Sequence, residues 1–220
     1  MNNSKFTSEV LRQDPSLLRN SYPTSGKWDM PIIKKSEVDI TGVKLIRADH
    51  IRRKDNRAVA DKTVHFFVED NKLDRYYDNP ENYRLRLAQY AHVLTPDYSL
   101  YIDMPLSIQI YNTFRSRYCG ADWQDYGLSV IPTVSWSTSE SYDFCFDGIE
   151  LGSVVAVSTV GGLRNNKLSK EEFKKLFLEG YWEMKRRINP RQVLCYGTAF
   201  CEMGEEVISV PYFETIRRGK

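Results

Sequence analysis

Ser-Val-Val-Ala-Val-Ser-Thr-Val-Gly-Gly, at Ser153 to Gly162, is the strongest structural signal in the sequence. Its apolar residues are mostly β-branched and nearly continuous, which is typical of a strand buried on both faces, as in parallel sheets. The run ends at a pair of glycines, where the backbone can turn sharply or approach a ligand closely. A helix and a second apolar run, Gln192 to Gly197, follow. The segment predicts a β-loop-α-β unit with a ligand site beyond the carboxyl ends of its strands.

The helix after the glycines has a clear beginning, period and end. Ser169 and Glu172 have the spacing of a capping box, and Asn189-Pro190 marks the end. The residues between them repeat with a helical period: Phe173, Leu176, Phe177, Gly180, Tyr181, Met184 and Ile188. This pattern predicts a helix with one apolar face packed on the sheet.

Strands and helices alternate along most of the chain. Pro105 opens a second helix, in which Leu106, Ile110 and Phe114 have the spacing of a buried stripe. The alternation predicts the α/β class with a mostly parallel sheet. With about six to eight strands available, we expect a small or degenerate TIM-like barrel. Residues 1–36 are polar and predict an N-terminal arm, and residues 37–220 predict a single α/β domain.

Composition excludes several classes of protein. The chain has 220 residues, 41% of them hydrophobic and 27% charged, as expected of a globular protein. A formal net charge of +2 indicates neither an acidic nucleic-acid mimic nor a strongly basic binder. Residues 1–20 do not resemble a signal peptide, and no apolar run approaches the roughly 20 residues that span a bilayer. The four cysteines have no C-x-x-C spacing, which predicts reduced thiols and no zinc site. Together with the absence of a signal peptide and of a membrane span, this predicts a cytoplasmic protein without a membrane partner.

Candidate functional residues follow the predicted strands, among them a short strand at Phe144 to Phe146. If the strands are parallel, these residues meet at one rim of the sheet. Carboxylates there could transfer protons, act as nucleophiles or hold a divalent metal. The catalytic candidates are Asp97, Glu69, Asp70 and Asp147, and the ligand-binding candidates are Trp136, Ser158, Thr159, Gly161, Gly162 and Tyr196.

Most of these candidates also fit a purely structural role. Asp97 follows a proline and fits an ordinary turn, and Glu69-Asp70 fit the start of a solvated loop. Gly161-Gly162 fit a tight turn, because their spacing matches no nucleotide-binding fingerprint. Trp136 fits either the core or a stacking platform for a ligand.

Two further features have alternative interpretations. The charged stretch Arg52 to Arg57 fits a solvated loop, or a basic loop that faces phosphate groups. His65 alternates within a strand and is expected to be a core residue with satisfied hydrogen bonds. The three histidines do not have the mutual spacing of metal ligands.

Known catalytic signatures are absent from the sequence. It contains no HExxH motif, P-loop, G-x-S-x-G motif or kinase signature. Ser158 has no adjacent histidine, which argues against serine-hydrolase chemistry. The sequence identifies no cofactor.

Five segments carry a resemblance to a known family. They are Leu94-Thr95-Pro96-Asp97-Tyr98-Ser99, Asp103-Met104-Pro105, Val130-Ile131-Pro132-Thr133-Val134-Ser135-Trp136, Phe146-Asp147-Gly148 and Val157-Ser158-Thr159-Val160-Gly161-Gly162. Together they resemble the uncharacterised bacterial family called domain of unknown function 4417, which is encoded largely by phages, plasmids and integrated elements. The resemblance implies a mobile-element context.

A fainter likeness connects residues 153–197 with the closing units of queuine-type transglycosylase barrels. The strand Ile131-Pro132-Thr133-Val134 lies where those enzymes read a base, and Asp97 is the nearest match to their catalytic aspartates. The zinc-binding cysteine cluster of those enzymes is absent here. The likeness implies nucleobase or nucleoside chemistry, by analogy only.

Two functions remain open from the sequence. The first is a pocket that binds a nucleotide, nucleoside or nucleic-acid base and acts at a glycosidic or phosphate linkage. Asp97 would be its nucleophile or base, Trp136 would stack on the base, and Gly161-Gly162 would hold a phosphate. The second is a non-enzymatic protein that sequesters a nucleotide signal or docks on a host defence or replication protein.

Overall fold

The computed structural model of the chain describes residues 15–161 and 168–213. Within these ranges the helices are α1 (Pro15–Leu18), α2 (Asp74–Asp78), α3 (Glu81–Leu87), α4 (Leu106–Asp125) and α5 (Lys170–Ile188). The strands are β1 (Thr24–Ser25), β2 (Met30–Pro31), β3 (Lys44–Arg47), β4 (Lys62–His65), β5 (His92–Leu94), β6 (Val130–Ile131), β7 (Val155–Ser158), β8 (Val193–Tyr196) and β9 (Val207–Val210). From β3 onward, α-helices separate β4 from β5, β5 from β6 and β7 from β8, whereas only short 3-10 helices lie between β3 and β4, between β6 and β7 and between β8 and β9.

Seven of these strands form two parallel sheets. The order is β3-β4-β5-β6 in the first sheet and β7-β8-β9 in the second, and every neighbouring pair in them is parallel. The α/β class and the mostly parallel pairing predicted from the sequence are therefore confirmed. Because parallel strands end at the same edge, the segments that follow them emerge side by side.

A narrow seam joins the two sheets. Thr133 and Ala156 form an isolated parallel bridge, in which Val134 N donates to Ala156 O at 2.8 Å and Ala156 N donates to Pro132 O at 2.9 Å. Among the described strands, β3 and β9 are the outer strands of the two sheets and each pairs on one side only. Closure into a TIM-like barrel therefore stays a prediction.

Both sheets contribute to one central apolar core. Alternate side chains of a strand point to opposite faces, so each strand contributes to two layers. On one face, the central core collects Leu45, Leu94, Ile131, Ala156, Leu194 and Val210 from six of the seven strands. On the other face, Val93 and Val130 share a core with Trp123 of α4, and Val155 and Val193 share one with Met184 of α5.

Helix α5 forms as the sequence predicts. Ser169 Oγ accepts from Glu172 N at 3.2 Å, and the Glu172 carboxylate accepts from Ser169 N at 2.8 Å, which completes the capping box. Asn189 ends the helix in a left-handed conformation with φ of 45°. The buried face carries the predicted residues Phe173, Phe177, Gly180, Tyr181, Met184 and Ile188.

Helix α4 begins where predicted, but the predicted buried stripe is wrong. Leu106 is 41% exposed, while Ile110 and Phe114 are only half-buried. In its first three turns the fully buried positions are polar instead: Gln109, Asn112, Thr113, Ser116 and Arg117. The physical reason is that this part of α4 packs against loop backbone, whose carbonyl groups need hydrogen-bond donors when they are buried.

The predicted N-terminal arm is partly integrated with the rest of the chain. β1 and β2 form a short antiparallel pair, and Met30 within β2 and Ile33 just beyond it are fully buried. Ile33 also forms a parallel bridge with Ile149. The boundary of the arm at residue 36 stays a prediction. No helix in the described ranges has both the length and the apolar character needed to cross a membrane.

Candidate functional site

A pocket of about 690 Å³ lies at the carboxyl ends of the parallel strands. Each of the seven strands contributes to its lining, either with its last residue or with the segment that follows: Arg47, Asp70, Asp97, Ser135, Ser158, Tyr196 and Tyr212. Phe173 and Phe177 of α5 close one side. The volume is that of a site for a small organic molecule.

Seven of the ten candidate residues predicted from the sequence line this pocket. They are Asp97, Glu69, Asp70, Trp136, Ser158, Gly161 and Tyr196. Thr159 and Asp147 are not among the lining residues, and Gly162 lies outside the described residues. The roles assigned to these side chains stay predictions, but their convergence follows from the parallel sheet.

Asp97 is the most perturbed carboxyl group in the pocket. Its side chain accepts a hydrogen bond from Ser135 Oγ, at the end of a neighbouring strand. Burial raises the pKa of Asp97 to about 7; the Ser135 hydrogen bond opposes this rise and the nearby Asp70 adds to it. At neutral pH the Asp97 carboxyl therefore populates both its protonated and its ionised form, as a general acid or base must.

Asp70 is a second carboxyl group of the same pocket. Ser99 donates to it twice, from the backbone nitrogen at 3.2 Å and from Oγ at 2.9 Å. Burial raises the pKa of Asp70 above its ordinary value, although the two hydrogen bonds from Ser99 oppose this effect. Two carboxyl groups that resist ionisation in one pocket are typical of a site that moves protons.

Glu69 differs from these two aspartates because it lies at the exposed rim. Its carboxylate pairs with Lys72 Nζ at 2.7 Å, and this contact lowers the pKa of Glu69. Lys72 also binds Asp49, which holds the guanidinium of Arg47 at 2.9 and 3.0 Å. Glu69 therefore stays ionised and belongs to a charged network along the rim.

Aromatic side chains form two walls of the pocket. The rings of Phe67 and Tyr196 stack with centroids 4.6 Å apart and planes 8° apart. Trp136 lies 5.0 Å from the Phe177 ring, and a Cβ built at Gly180 would overlap its indole. Trp136 therefore fits both interpretations that the sequence left open, since it packs on α5 and also lines the pocket.

His65 lies in the core next to the aromatic pair. Its ring centroid is 4.8 Å from that of Tyr196 and 5.7 Å from that of Phe67. It is fully buried as predicted, but the prediction of satisfied hydrogen bonds is wrong: neither ring nitrogen has a partner among the described residues. The aromatic neighbours present ring faces to His65 and no hydrogen-bond acceptor. Burial lowers the pKa of His65 to about 3.

Helix α4 holds the loop that carries Asp97 and Ser99. Asn112 Nδ2 donates to Ser99 O at 2.7 Å, and Gln109 Nε2 donates to Met104 O at 2.9 Å and to Tyr101 O at 3.1 Å. The sequence analysis missed these amides because it counted only apolar residues on the helix. The available signal was the amide pair at positions i and i+3 of a helix that follows a candidate loop.

Arg117 supports the same region from deeper in the core. Its guanidinium donates to three backbone carbonyl groups, Thr133 O at 3.0 Å, Cys145 O at 2.6 Å and Asp147 O at 2.9 Å. Burial lowers the pKa of Arg117 to about 10, so it remains charged at neutral pH. Thr133 forms the seam bridge, and Arg117 therefore fastens α4 to the point where the two sheets meet.

Asp147 and Thr159 point elsewhere for identifiable reasons. The residues before Asp147 form a 3-10 helix, Ser139–Asp143, and a turn rather than the predicted strand, so Asp147 does not reach the rim. Its side chain lies instead against the backbone of Gly26. Thr159 directly follows Ser158 and faces away from it, with Oγ1 donating to Thr198 O at 3.0 Å.

Gly161 is the last described residue before residue 168 and lies eight residues before the N-cap of α5. Gly161 lines the pocket with φ of 92°, a left-handed conformation that favours glycine, but α5 has its N-cap only at Ser169. The phosphate-binding role predicted for Gly161-Gly162 stays a prediction, because Gly162 lies outside the described residues. In the described part of the chain no three His, Cys, Asp or Glu side chains are placed to hold a metal ion.

Comparison with known proteins places the chain in a family. The family model described as "Domain of unknown function (DUF4417)" matches residues 22–214. "Gene 1 protein" of Mycobacterium phage L5 is 37% identical over 180 residues, which cover 82% of this chain and 76% of that protein. "Gene 1 protein" of Mycobacterium phage D29 is 36% identical over 180 residues, which cover 82% of this chain and 64% of that protein.

No solved structure matches the chain. The likeness to queuine-type transglycosylases stays a hypothesis. The family match covers most of the chain, including every strand that contributes to the pocket and the whole of α5. The chain therefore belongs to the DUF4417 family, whose members include phage proteins.

Proposed function

We propose that the pocket binds a nucleoside, a nucleotide or a nucleic-acid base and that Asp97 transfers a proton at the glycosidic linkage. The observation that carries this proposal is the half-buried carboxyl of Asp97, with a pKa of about 7, in an aromatic-lined pocket. A general acid works best when its pKa lies near the working pH. Breaking a glycosidic bond requires a proton on the departing group, which such a carboxyl supplies.

The aromatic walls support a planar ligand. Phe67 and Tyr196 present stacked rings, and Trp136 lies along the same pocket. Stacking of a base on an aromatic side chain is worth about 1–3 kcal/mol. Ser99 and Ser135 also line the pocket, and their hydroxyl oxygens, whose protons go to Asp70 and Asp97, can accept hydrogen bonds from ring N–H or sugar hydroxyl groups.

Asp70 supports the second half of the reaction. A cleavage that inverts or retains the sugar configuration needs two carboxyl groups in one site. Asp70 lies close enough to Asp97 to raise its pKa, and it is held in place by Ser99. In this proposal Asp97 is the acid and Asp70 positions a water molecule or stabilises the positive charge that develops on the sugar.

The pocket is lined from both sheets, and sheets that curve around a common core would bring their carboxyl ends together at such a site. We propose that they wrap around the central core as a barrel-like shell. Leu45 of β3 and Val210 of β9, at the outer strands of the two sheets, belong to the same cluster. The ring contact between His65 of β4 and Tyr196 of β8 also brings the two sheets together.

The test uses purified protein and a panel of nucleosides, nucleotides and free bases. Calorimetric titration measures binding, and chromatography measures release of the free base. Asp97→Asn should lower turnover at least about 100-fold, the usual contribution of a general acid, while changing the Kd only a few-fold. Asp103→Asn is the matched control, because Asp103 lies on the same loop, is exposed and does not line the pocket.

The outcomes separate the enzyme from the non-enzymatic alternative. Binding by the wild-type protein without base release would assign the pocket to a protein that sequesters its ligand. Retained turnover in Asp97→Asn would remove Asp97 from the reaction. No binding to any member of the panel would overturn the proposal altogether.

A further inference from the structure

A second surface of interest is the loop between β3 and β4. Arg52, Arg53 and Lys54 follow one another there, and all three are exposed. None of them lines the pocket. The loop packs beside Gln89, which lies three residues before β5 begins, whereas the pocket lies at the carboxyl ends of the strands. This basic loop is therefore distinct from the pocket.

A single side chain fixes the backbone of the basic loop. Gln89 Oε1 accepts from Asp55 N at 2.8 Å. Gln89 Nε2 lies 3.3 Å from Arg52 O, 3.3 Å from Arg53 O and 3.1 Å from Arg86 O. One amide nitrogen thus gathers the carbonyl groups of three arginines from two separate segments. The loop has a defined conformation rather than that of a free solvated turn.

The acidic residue within the loop does not neutralise these cations. The side chain of Asp55 is buried, and both of its carboxylate oxygens accept hydrogen bonds, from Arg57 Nε at 2.7 Å on one side and from the Tyr90 hydroxyl at 2.8 Å on the other. The hydrogen bonds from Arg57 hold the pKa of Asp55 well below its usual range. Arg57 compensates the Asp55 charge and leaves Arg52, Arg53 and Lys54 unaffected.

Many other cations of the protein do have acidic partners. Lys44 pairs with Asp61 at 2.5 Å and Lys174 with Glu202 at 2.6 Å. Within the described ranges Arg52, Arg53, Lys54 and Arg86 form no ion pair, and Arg86 instead lies 5.0 Å over the Tyr83 ring. The backbone segments that carry these four cations meet at Gln89, and like charges on neighbouring segments repel one another when no counterion lies between them. A polyanion that binds here would remove this repulsion.

We propose that this surface, formed by Arg52, Arg53, Lys54 and Arg86, docks on the phosphate backbone of double-stranded DNA. The planar guanidinium of arginine suits phosphate oxygens, and three of the four cations are arginines. Proteins that grip single strands combine basic groups with open aromatic faces. Here the nearby Tyr83 ring is covered by Arg86 and Arg75, so the surface presents charge and no stacking platform. Contacts of this kind position a protein on a duplex without reading its sequence.

The experiment measures fluorescence anisotropy of a labelled duplex of about 20 base pairs as the full chain is added at increasing salt concentrations. Four phosphate contacts predict a slope of about −3 to −4 for log K against log salt concentration. The triple variant Arg52→Gln/Arg53→Gln/Lys54→Gln should bind at least about 10-fold more weakly, with the slope reduced by about 2 to 3. Thermal unfolding verifies that each variant is folded.

The matched control removes the same charge elsewhere. Lys170→Gln/Lys175→Gln/Arg191→Gln lowers the net charge by the same amount at three exposed positions, and it should keep the wild-type affinity within about two-fold. Gln89→Leu keeps every charge but releases the loop, and it should weaken binding at least about three-fold.

Four results would overturn the proposal. They are equal losses in the two triple variants, unchanged binding in Gln89→Leu, tighter binding to polyglutamate than to the duplex, and no binding to the duplex at low salt. None of these depends on the pocket, so a failure here is distinguishable from a failure of the proposed function.

Discussion

Helices α4 and α5 are nearly equal in length, with 20 and 19 residues, but they bury different kinds of side chain. The buried face of α5 is largely aromatic and aliphatic, as with Phe177 and Met184. In its first three turns α4 buries amides, hydroxyls and the guanidinium of Arg117. One helix contributes mainly apolar burial, and the other contributes directed hydrogen bonds to a loop of the pocket.

This difference teaches what each helix does for the site. Apolar burial is favourable but non-directional, so α5 stabilises the sheet mainly without fixing single backbone groups. On its buried face the exception is the Tyr181 hydroxyl, which donates to Met203 O at 2.7 Å. A buried hydrogen bond adds little net stability, but leaving its partner unpaired is costly, so it fixes geometry strongly. The first half of α4 therefore determines where Asp97 and Ser99 lie, while α5 holds the framework around them.

The largest effect is expected from Arg117→Met in α4. This change keeps the approximate volume but leaves the carbonyl groups of Thr133, Cys145 and Asp147 without a donor. A buried carbonyl group left without a donor costs about 1–3 kcal/mol, so with three such groups we expect a loss of at least about 3 kcal/mol in the free energy of unfolding, measured by urea denaturation. Arg186→Met in α5 is the control, because Arg186 is 68% exposed and its ion pair contributes less than about 1 kcal/mol. Equal losses in the two variants would contradict the contrast between the helices.

Gly180→Ala tests the close approach of α5 to the pocket wall. The added Cβ would overlap the Trp136 indole, so the tryptophan or the helix must move. Overpacking of this kind costs about 1–3 kcal/mol, even though alanine favours a helix over glycine. A change in Trp136 fluorescence should accompany the loss. A more stable variant with unchanged fluorescence would show that the contact is not tight.

Asp97→Asn tests how ionisation of the Asp97 carboxyl, on the loop that α4 helps to position, changes the free energy of unfolding. The pKa of Asp97 in the folded protein is raised to about 7, so its stabilising contribution is present at low pH and is lost as the pH rises through 7. The free energy of unfolding of the variant should therefore exceed that of the wild type by at least about 1 kcal/mol at pH 8, after allowance for the partial exposure of Asp97. At pH 4 the difference should be much smaller. Denaturant titrations at both pH values measure this difference. A constant difference between the variant and the wild type would exclude a raised pKa.

Ser169→Ala removes the cap of α5 and should cost about 1 kcal/mol, because Glu172 N loses its acceptor. The change lies at the N-cap, one residue before the helix begins, and leaves the residues of the buried face unaltered. Thermal unfolding followed by circular dichroism measures the loss. An effect above about 2 kcal/mol would mean that the cap does more than end the helix.

The smallest effect is expected from Ile108→Gln on α4. Ile108 is exposed, so replacing it with an amide should change the unfolding free energy by less than about 0.5 kcal/mol. The same denaturation measurement applies. A loss of about 2 kcal/mol would show that Ile108 is part of a buried apolar stripe on α4, and the two helices would then not differ in the way described.

The sequence predicted α5, the parallel strands and most of the rim because these depend on local signals. The capping box at Ser169 and the residues after each strand are visible without tertiary contacts. The buried face of α4 was not predicted, because apolar periodicity gives no weight to Asn112 or Arg117. Asp147 was misplaced because Phe144 to Phe146 has the composition of a strand but forms a turn. The missing hydrogen bonds of His65 depend on neighbours that arrive from distant segments.

The seam between the two sheets has a consequence for the pocket that spans it. Arg47, Asp70 and Asp97 lie at the end of one sheet and Ser158 and Tyr196 at the end of the other. Among the described residues, the bridge at Thr133 and Ala156 is the one place where the two sheets pair their backbones. A pivot at these residues would widen or narrow the pocket while leaving every ladder within each sheet intact. The amides of Val134 and Ala156 would then report the motion through faster hydrogen exchange than their neighbours.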